Sequence, residues 1–369
     1  MIIKKVKLHH LNMTMKNSFV TSFGSIQEKP FLLVEVMDES GNTGWGESTA
    51  FDAPWYNEET FQTNLHIIKD FLIPLLLNRN INHPDEVSAI FSPIRKNNMA
   101  KAAIEGAVWD LYAKRNSLPL SQALGGTFKN IEVGVSIGLQ KSSDELKSVV
   151  ENYVQEGYKR IKVKIKPGSD ISLISALREA FPELPLMADA NSAYTLDDIE
   201  IFRQLDQYNL LMIEQPLGYD DIVDHSKLQR EIKTPICLDE SILSLEDVKK
   251  AIELGSAKVI NIKISRVGGL TEAKKIHDYC LEKNIPVWCG GMLEAGIGRA
   301  HNIALASLPN FTFPGDTSSS SRYWEEDIIT PEVVAKDGYI TVPTGYGIGY
   351  EPNLESIKKF TENCWEFKA

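Results

Sequence analysis

The second half of the chain repeats one unit, a short β-branched run followed by a stretch with helical spacing. Strands that alternate with helices form parallel sheets whose faces the helices cover. Sustained over about 185 residues, this alternation favours an α/β fold and a barrel over an open sheet, although periodicity alone leaves barrel closure open. The strand candidates are VGVSIGL, RIKVKI, LPLMADA, LLMIEQP, TPICLDE, KVINIKI, IPVWCGG and FTFPGD.

A charged residue lies at the carboxyl end of five consecutive strand candidates. Neighbouring members are separated by 25, 25, 25 and 24 residues, the length of one strand, one helix and two loops. In a parallel barrel these ends converge at one mouth, where barrel active sites lie. The sequence therefore predicts a cup that holds Lys164, Asp189, Glu214, Asp239 and Lys263.

The three carboxylates of this cup repel one another unless a cation compensates them. No histidine or cysteine occupies an aligned position, and an all-oxygen ligand set favours a hard ion over zinc. We therefore expect Asp189, Glu214 and Asp239 to bind Mg²⁺, for which Mn²⁺ can substitute. About three of the six octahedral positions then remain for water and substrate.

The two lysines lie on strands that flank the carboxylates, so a closed barrel lets them reach a bound substrate from opposite faces. We expect burial near a metal to lower a lysine pKa towards neutrality, which suits a general base. The natural chemistry is abstraction of a proton α to a carboxylate, with Mg²⁺ holding the enediolate oxygens. Lys162 and Lys166 flank Lys164, and Arg266 lies one turn beyond Lys263; Lys162 and Arg266 are expected to act electrostatically.

Other polar residues near the strand ends have two interpretations. Asn191 and Glu240 can cap the helices that follow, or they can support the metal site. Ser136 lies on the first barrel strand, where a structural role competes with a substrate contact. A single charged residue at a strand end is usually solvated or a helix cap, but five in register are hard to explain in that way.

The segment GGMLEAGIGRA at 290–300 superficially suggests a nucleotide-binding loop. It lacks the Walker lysine and serine and comes late in the chain, so Rossmann and P-loop folds are not supported. Its glycines instead let backbone amides approach a substrate carboxylate or carbonyl, which makes Gly291 and Met292 candidate substrate contacts. Cys289 continues an apolar strand and is interpreted as a core residue.

The N-terminal part has a different spacing of apolar residues. Residues 1 to about 50 alternate as antiparallel strands, and apolar spacing of three and four predicts helices over 57–77 and 99–114. The less periodic segment from about Arg322 is expected to pack back onto this part. The resulting division is into residues 1–126, 127–321 and 322–369.

Composition excludes several classes of function. The 369 residues include 39 basic and 50 acidic side chains, giving a net charge of −11 and a pI near 5.3, so a nucleic-acid partner is not expected. The first residues lack the continuous apolar stretch typical of a signal peptide, no window has 18 uninterrupted apolar residues, and the four cysteines form no CxxC pair. We expect a cytoplasmic homo-oligomer that binds a small-molecule carboxylate and no membrane.

Several longer segments resemble the enolase superfamily, and within it the o-succinylbenzoate synthase / N-succinylamino acid racemase family. The resemblance covers essentially the whole length, including AAIEGAVWDLYAK and ALGG in the N-terminal part. The most specific segments are KVKIKPG, MADANSAYTL, MIEQPL, ICLDESI, INIKISRVGG and VWCGGMLEAGIGRAHNIALASLPN.

The resemblance implies an α+β capping domain, made from both chain ends, over a modified (β/α)₇β TIM-like barrel. Lys164 and Lys263 match the acid/base pair of the family, the three carboxylates match its metal ligands, and Arg266 matches an arginine that tunes the second lysine. Loops over 19–25 and 51–56 match the mobile loops that close over substrate. They contribute four candidate substrate contacts: Phe19, Ser22, Phe23 and Tyr56.

Two reactions follow from the resemblance. The first is Mg²⁺-dependent syn dehydration of 2-succinyl-6-hydroxy-2,4-cyclohexadiene-1-carboxylate to 2-succinylbenzoate, a step of menaquinone biosynthesis. The second is racemisation of N-succinylamino acids, and members of this family can catalyse both. FPGD lacks the aspartate-x-aspartate of dipeptide epimerases, which argues against that activity. A non-catalytic metal-binding barrel is the remote alternative.

Overall fold

The computed structural model describes residues 1–20, 24–140 and 142–369. The N-terminal strands are β1 (Ile3–Val20), β2 (Ser25–Asp38) and β3 (Thr43–Ser48). The helices that follow are α1 (Phe61–Ile67), α2 (Ile73–Leu76), α3 (Glu86–Ile90), α4 (Asn98–Arg115) and α5 (Leu120–Leu124). The predicted strands before residue 50 and the predicted helix over 99–114 are confirmed.

Strands and helices then alternate, as the sequence predicts. This region begins with β4 (Asn130–Glu132), β5 (Val135–Ile137), α6 (Ser143–Gln155), β6 (Ile161–Lys164), α7 (Asp170–Ala180), β7 (Leu186–Asp189), α8 (Ile199–Leu205) and β8 (Ile213–Glu214). It continues with α9 (Val223–Glu231), β9 (Ile236–Leu238), α10 (Leu245–Leu254), β10 (Val259–Ile262), α11 (Ile264–Val267), α12 (Leu270–Glu282), β11 (Val287–Cys289) and α13 (Gly296–Ala306).

The C-terminal part returns to both earlier regions. Its elements are β12 (Ile329–Thr330), β13 (Tyr339–Thr341), β14 (Glu351–Pro352), α14 (Leu354–Phe360) and β15 (Thr361–Lys368). Strand β15 pairs antiparallel with β1, while β13 pairs with β4 beside the barrel. No helix in the part of the chain that the structure describes has the length and apolar character needed to cross a membrane.

The N-terminal sheet has the strand order β15-β1-β2-β3 and packs on α4. Val6 and Leu8, two residues apart on β1, are fully buried in the same core cluster as Ala103 and Ala107 of α4, as period-two alternation requires. Gly46 lets β3 approach this helix, because a Cβ at that position would lie 2.0 Å from the carbonyl oxygen of Ala103.

The barrel sheet contains seven parallel strands in the order β11-β10-β9-β8-β7-β6-β5. The predicted α/β barrel fold and seven of its eight predicted strands are confirmed. Inside the barrel, a small apolar cluster fills the space below the strand ends, so the charged cup has a packed floor. The buried members of this cluster are Met187, Met212, Cys237, Val259 and Trp288.

The eighth predicted strand, FTFPGD, does not form a regular strand. It joins the two edges of the sheet by isolated parallel bridges, from Phe311 to Val287 of β11 and from Gly315 to Val133 beside β5. Pro314 between these bridges has no amide hydrogen to donate to a ladder. The barrel is therefore closed by single bridges at this seam.

The helix predicted over 57–77 begins later and is interrupted. Thr60 caps the amino end of α1 by accepting a hydrogen bond from the Thr63 amide. A π-helical turn over Ile68–Leu72 then separates α1 from α2, where Pro74 lies in the first turn. Because proline removes one helical hydrogen bond, the widened turn accommodates it.

Candidate active site

The strand ends place all five predicted charged residues at one mouth of the barrel. Lys164, Asp189 and Glu214 are the last residues of β6, β7 and β8, and the strand register pairs Lys164 with Asp189 and Asp189 with Glu214. Asp239 and Lys263 directly follow β9 and β10. All five side chains are buried, so their charges interact through a medium that screens weakly.

Lys164 is held by two oxygen acceptors. Its Nζ lies 2.6 Å from Asp189 Oδ2 and 2.5 Å from Asn191 Oδ1. Asn191 in turn donates to Glu240 Oε1 at 3.1 Å. The helix-cap interpretation of Asn191 and Glu240 is wrong, since Thr195 and Ser244 occupy the cap positions and these two residues face the cup.

Lys263 belongs to a second cluster on the other side of the carboxylates in strand order. Its Nζ lies 2.8 Å from Asp239 Oδ2 and donates to the Tyr56 hydroxyl at 3.2 Å. Tyr56 donates to Asp239 Oδ1 at 2.9 Å, and Arg266 Nη1 contacts the same oxygen. The loop before α1 therefore supplies a hydroxyl to the barrel site.

Lys162 lies beneath Lys164 and bridges three carboxylates. Its Nζ is 2.8 Å from Asp316 Oδ2, 3.0 Å from Glu214 Oε2 and 3.4 Å from Asp189 Oδ2. Asp316 also pairs with Arg160 at 2.9 Å. Asp316 was not predicted as a site residue, although it is the last residue of the eighth strand candidate, FTFPGD.

The pKa values show which charges the site stabilises. Burial acts to raise the pKa of Asp189, but Lys164 and Lys162 outweigh it and lower that pKa to about 2. Burial, followed by repulsion from Asp189, raises the pKa of Glu214. Burial and neighbouring carboxylates also raise the pKa of Glu240. The site therefore does not stabilise the ionised form of every one of its acids.

With the carboxylates turned towards them, two buried lysines have raised pKa values, and the lowering expected for a lysine beside a bound metal stays a prediction. Burial acts in that direction at Lys263, but Tyr56, Glu214 and nearby acids outweigh it and raise the pKa. The same balance raises the pKa of Lys162, because Asp316 and Glu214 lie so close. Each of these pKa values depends on the number of carboxylates that reach the lysine as well as on its desolvation.

The carboxylate oxygens of the site are the ligands that a hard divalent cation prefers, and they come from successive strands. Asp189, Glu214 and Asp239 present oxygens from successive strands, and the buried Glu240 Oε2 has no hydrogen-bond partner. In the side-chain positions seen, however, no three acidic, histidine or cysteine residues among those described converge as around an ion, because each carboxylate turns towards a cation. A bound metal therefore requires these carboxylates to rotate away from their lysines.

The substrate-contact candidates line one small cavity of about 70 Å³ beside the lysines. Phe19, Tyr56, Ser136, Gly291 and Met292 all contribute to its wall, whereas the predicted Ser22 and Phe23 lie outside the described residues. A pocket for a compound of drug size is roughly 300–1,000 Å³, so a substrate of that size needs this wall to move.

A larger cavity of about 730 Å³ adjoins the site. Tyr56 and Asn191 line both cavities. The larger one also reaches Glu240, Arg266 and the half-exposed Trp55. Displacement of Tyr56 would therefore join the reactive cavity to a space large enough for a substrate.

Gly290, directly after strand β11, occupies a position where a side chain would not fit. A Cβ at this position would lie 2.4 Å from Asn261 Oδ1 and 2.8 Å from Lys263 Cε. Asn261 itself donates to Glu214 Oε1 at 2.7 Å. Glycine at 290 thus leaves room for the Lys263 side chain to cross the barrel mouth.

Two family models match the chain. A model described as "Mandelate racemase / muconate lactonizing enzyme, N-terminal domain" matches residues 3–125, and "Enolase C-terminal domain-like" matches residues 145–357. Together they cover the N-terminal sheet and most of the barrel.

Close relatives carry two names. An o-succinylbenzoate synthase from Geobacillus kaustophilus is 60% identical over 98% of this chain and 96% of its own length. An N-succinylamino acid racemase from Thermus thermophilus is 47% identical over 98% of both chains. A crystal structure of an enolase superfamily member from Listeria innocua has a TM-score of 0.97 at 48% identity, covering 100% of this chain and 99% of that one.

Proposed function

The chain belongs to the enolase superfamily, and on this basis we propose that it is an o-succinylbenzoate synthase. The reaction is the Mg²⁺-dependent syn dehydration of 2-succinyl-6-hydroxy-2,4-cyclohexadiene-1-carboxylate to 2-succinylbenzoate in menaquinone biosynthesis. The observation that carries the proposal is the entry of two buried lysines, from β6 and β10, into a single carboxylate-lined cavity. Relatives named o-succinylbenzoate synthase, one of them 60% identical, support it.

In this proposal Lys164 performs both proton transfers. Its neutral amine removes the proton α to the substrate carboxylate, and the electron pair of the broken C–H bond moves into the carboxylate as an enediolate. The resulting ammonium then gives the proton to the hydroxyl group on the same face. The C–O bond breaks, water leaves and the ring becomes aromatic, which accounts for a syn elimination by one residue.

Lys263 acts as a fixed cation during dehydration. Its contacts with Asp239 and Tyr56 hold the ammonium against the cavity, where it faces the charge that develops on the substrate carboxylate. A charge placed in advance in a buried site stabilises such an intermediate without reorganisation of solvent.

Asp189, Glu214 and Asp239 are the residues that would hold Mg²⁺ or Mn²⁺. The ion supplies Lewis-acid stabilisation of the negative oxygens when bound. The side chains of this protein supply the rest: Asn191 and Asp189 orient Lys164, while Asp316 holds Lys162 beneath the carboxylates.

The charge balance of the site favours a substrate with two carboxylates. Five buried cations face five buried carboxylates, and Arg299 and Glu294 in the cavity wall add one charge of each sign, so a divalent cation leaves an excess of about two positive charges. Both proposed substrates carry two carboxylates that match this excess. The cations are Arg160, Lys162, Lys164, Lys263 and Arg266, and the acids are Asp189, Glu214, Asp239, Glu240 and Asp316.

Racemisation of N-succinylamino acids is the second candidate function. The observation that favours it is Arg266, whose guanidinium reaches both the Asp239 carboxylate and the Tyr56 hydroxyl that hold Lys263. Each lysine would then serve as base for one enantiomer and acid for the other. The relative named as a racemase, at 47% identity, supports this activity.

The direct test of dehydration uses purified protein with Mg²⁺ and the cyclohexadiene substrate. Appearance of the ultraviolet absorbance of the aromatic product supports the synthase, and its absence overturns the proposal. A metal-binding barrel without catalysis would show binding of Mg²⁺ but neither the aromatic product nor exchange of any α-hydrogen. The neighbouring genes distinguish the physiological role, since menaquinone genes favour the synthase.

We further propose that the enzyme acts in the cytoplasm as a homo-oligomer, with the division at residues 126 and 321 given above. The four free cysteines, three of them buried, suit a reducing compartment. Light scattering coupled to size-exclusion chromatography tests the oligomer.

A further inference from the structure

Arg299 is a buried guanidinium in the wall of the reactive cavity. It lies in the first half of α13, is 2% exposed and lines the same cavity as Lys164 and Lys263. None of the residues proposed above for proton transfer or metal binding forms a hydrogen bond or ion pair with its side chain. Its role therefore needs a separate explanation.

The hydrogen bonds of Arg299 leave its charge without a counter-ion. Nη1 donates to the carbonyl oxygens of Ser318 and Ser319, and Nη2 donates to that of Glu294 at 2.8 Å. The buried Nε has no hydrogen-bond partner, and the guanidinium carbon lies 5.1 Å from the centre of the Tyr323 ring. No described carboxylate forms an ion pair with this arginine, and the Glu294 side chain, which also lines the cavity, instead accepts from the Met292 amide.

Two other fully buried arginines behave differently. Arg160 pairs with Asp316 and Arg266 pairs with Asp239. A buried charge without a partner costs several kcal/mol, so proteins rarely leave one unless a ligand completes it. Arg299 has that character at the wall of a substrate cavity.

Two polar side chains in the same cavity wall can bind an anionic ligand together with Arg299. Asn302 lies one turn later on α13, is 3% exposed and lines the cavity, as does the buried Thr317. An amide, a hydroxyl and a guanidinium in the wall of one cavity provide donors from which a carboxylate accepts hydrogen bonds.

We propose that Arg299, with Asn302 and Thr317, binds the remote carboxylate of the substrate, the one that does not take part in proton transfer. This inference rests on the proposed function, which places the reacting carboxylate at the lysines and the metal. The second carboxylate, on the succinyl arm, then pairs with Arg299 and fixes the orientation of the α-carbon between the lysines.

The test compares two substrates that differ only in this charge. N-succinylphenylglycine and N-butanoylphenylglycine have acyl arms of equal carbon number, but the second lacks the remote carboxylate. The rate of α-deuterium incorporation in D₂O with Mg²⁺ is measured for both substrates with the wild type, Arg299→Gln and Arg299→Lys. We expect Arg299→Gln to lower kcat/KM about 30-fold for the succinyl substrate, chiefly through KM, and less than about twofold for the butanoyl substrate. Arg299→Lys should restore part of the difference.

Equal losses for the two substrates would show that Arg299 only supports the loop at 318–319, and would overturn the inference. If Arg299→Gln fails to fold, Asn302→Asp provides the second test, because its added carboxylate should repel the succinyl arm and spare the butanoyl substrate. Equal activity of wild type on both substrates would also overturn the inference. Absence of exchange and of dehydration in wild type would instead defeat the proposed function.

Discussion

Lys164 Nζ lies 2.6 Å from Asp189 Oδ2, and the two residues are paired in register across strands β6 and β7. The proposed base and the proposed first metal ligand are therefore direct neighbours. A divalent ion held by Asp189 would draw this carboxylate away from the amine and free Lys164 to face the substrate. Loading of the metal and activation of the base would then be linked by one side-chain rotation.

Replacement of Lys164 by alanine should abolish dehydration and leave the fold nearly intact. The amine lies at the barrel mouth, away from the apolar floor, and general acid–base catalysis contributes about 10²- to 10⁴-fold. We expect kcat to fall by at least that factor, measured from the rate of aromatic product formation. Lys166→Ala is the matched control, since Lys166 is exposed two residues further on. Retained turnover in Lys164→Ala would remove Lys164 from the mechanism.

Removal of the divalent ion should stop turnover. Mg²⁺ at a hundred times its dissociation constant should stabilise the folded protein by about 2.7 kcal/mol, seen as a rise in Tm. Glu214→Gln should lose this rise, whereas Glu253→Gln, at an exposed position on α10, should keep it. Full activity in the presence of a chelator would contradict a metal-dependent mechanism.

Asp316→Asn should impair both stability and rate. The variant leaves the buried Lys162 and Arg160 without the carboxylate that now pairs with them at 2.8 and 2.9 Å. Loss of one partner of a buried ion pair costs about 3 kcal/mol, which urea denaturation can measure. Because Lys162 then shifts against Asp189 and Glu214, kcat should fall as well. A wild-type free energy of unfolding in Asp316→Asn would show that the ion pairs of Asp316 with Lys162 and Arg160 do not stabilise the fold.

The periodic part of this site could be predicted from the sequence. Five charged residues at 24- or 25-residue intervals identify the cup, because each strand of a parallel barrel ends at the same mouth. The sequence allows two interpretations of Asn191 and Glu240, because only the structure distinguishes a helix cap from a contact with the site around Lys164.

The contacts that depend on tertiary packing could not be predicted. The Tyr56 hydroxyl reaches Asp239 across 183 residues of sequence, and no local pattern marks such a pairing. Asp316 was not predicted because Pro314 interrupts the eighth strand, so this segment lacks the regular strand pattern that identifies the other site residues. The pKa of Lys263 also depends on acids brought in by other elements, which the sequence alone does not place beside it.

Glu105 should make stability depend on pH. Burial raises its pKa to about 7, against which the amides of Leu270 and Thr271 and the Trp109 indole act as donors. The folded state then binds a proton more tightly than the unfolded state, whose carboxyl titrates near 4.5. The contribution is complete below pH 4.5 and is lost as pH rises through about 7.

The measurement for Glu105 is the free energy of unfolding between pH 4.5 and 8. Glu105→Gln should remove up to about 3 kcal/mol of the fall over this range, while Glu253→Gln should keep the wild-type slope. An unchanged slope in Glu105→Gln would assign the pH dependence to other groups.

Lys164 and Lys263 are proposed to reach one α-carbon from opposite faces. This geometry is tested by α-deuterium exchange of each enantiomer of N-succinylphenylglycine in D₂O, in wild type, Lys164→Ala and Lys263→Ala. We expect exchange of both enantiomers in wild type and of only one in each variant, with the two variants exchanging opposite enantiomers. If both variants lose exchange of the same enantiomer, the two lysines lie on one face of the substrate and the proposed geometry is wrong.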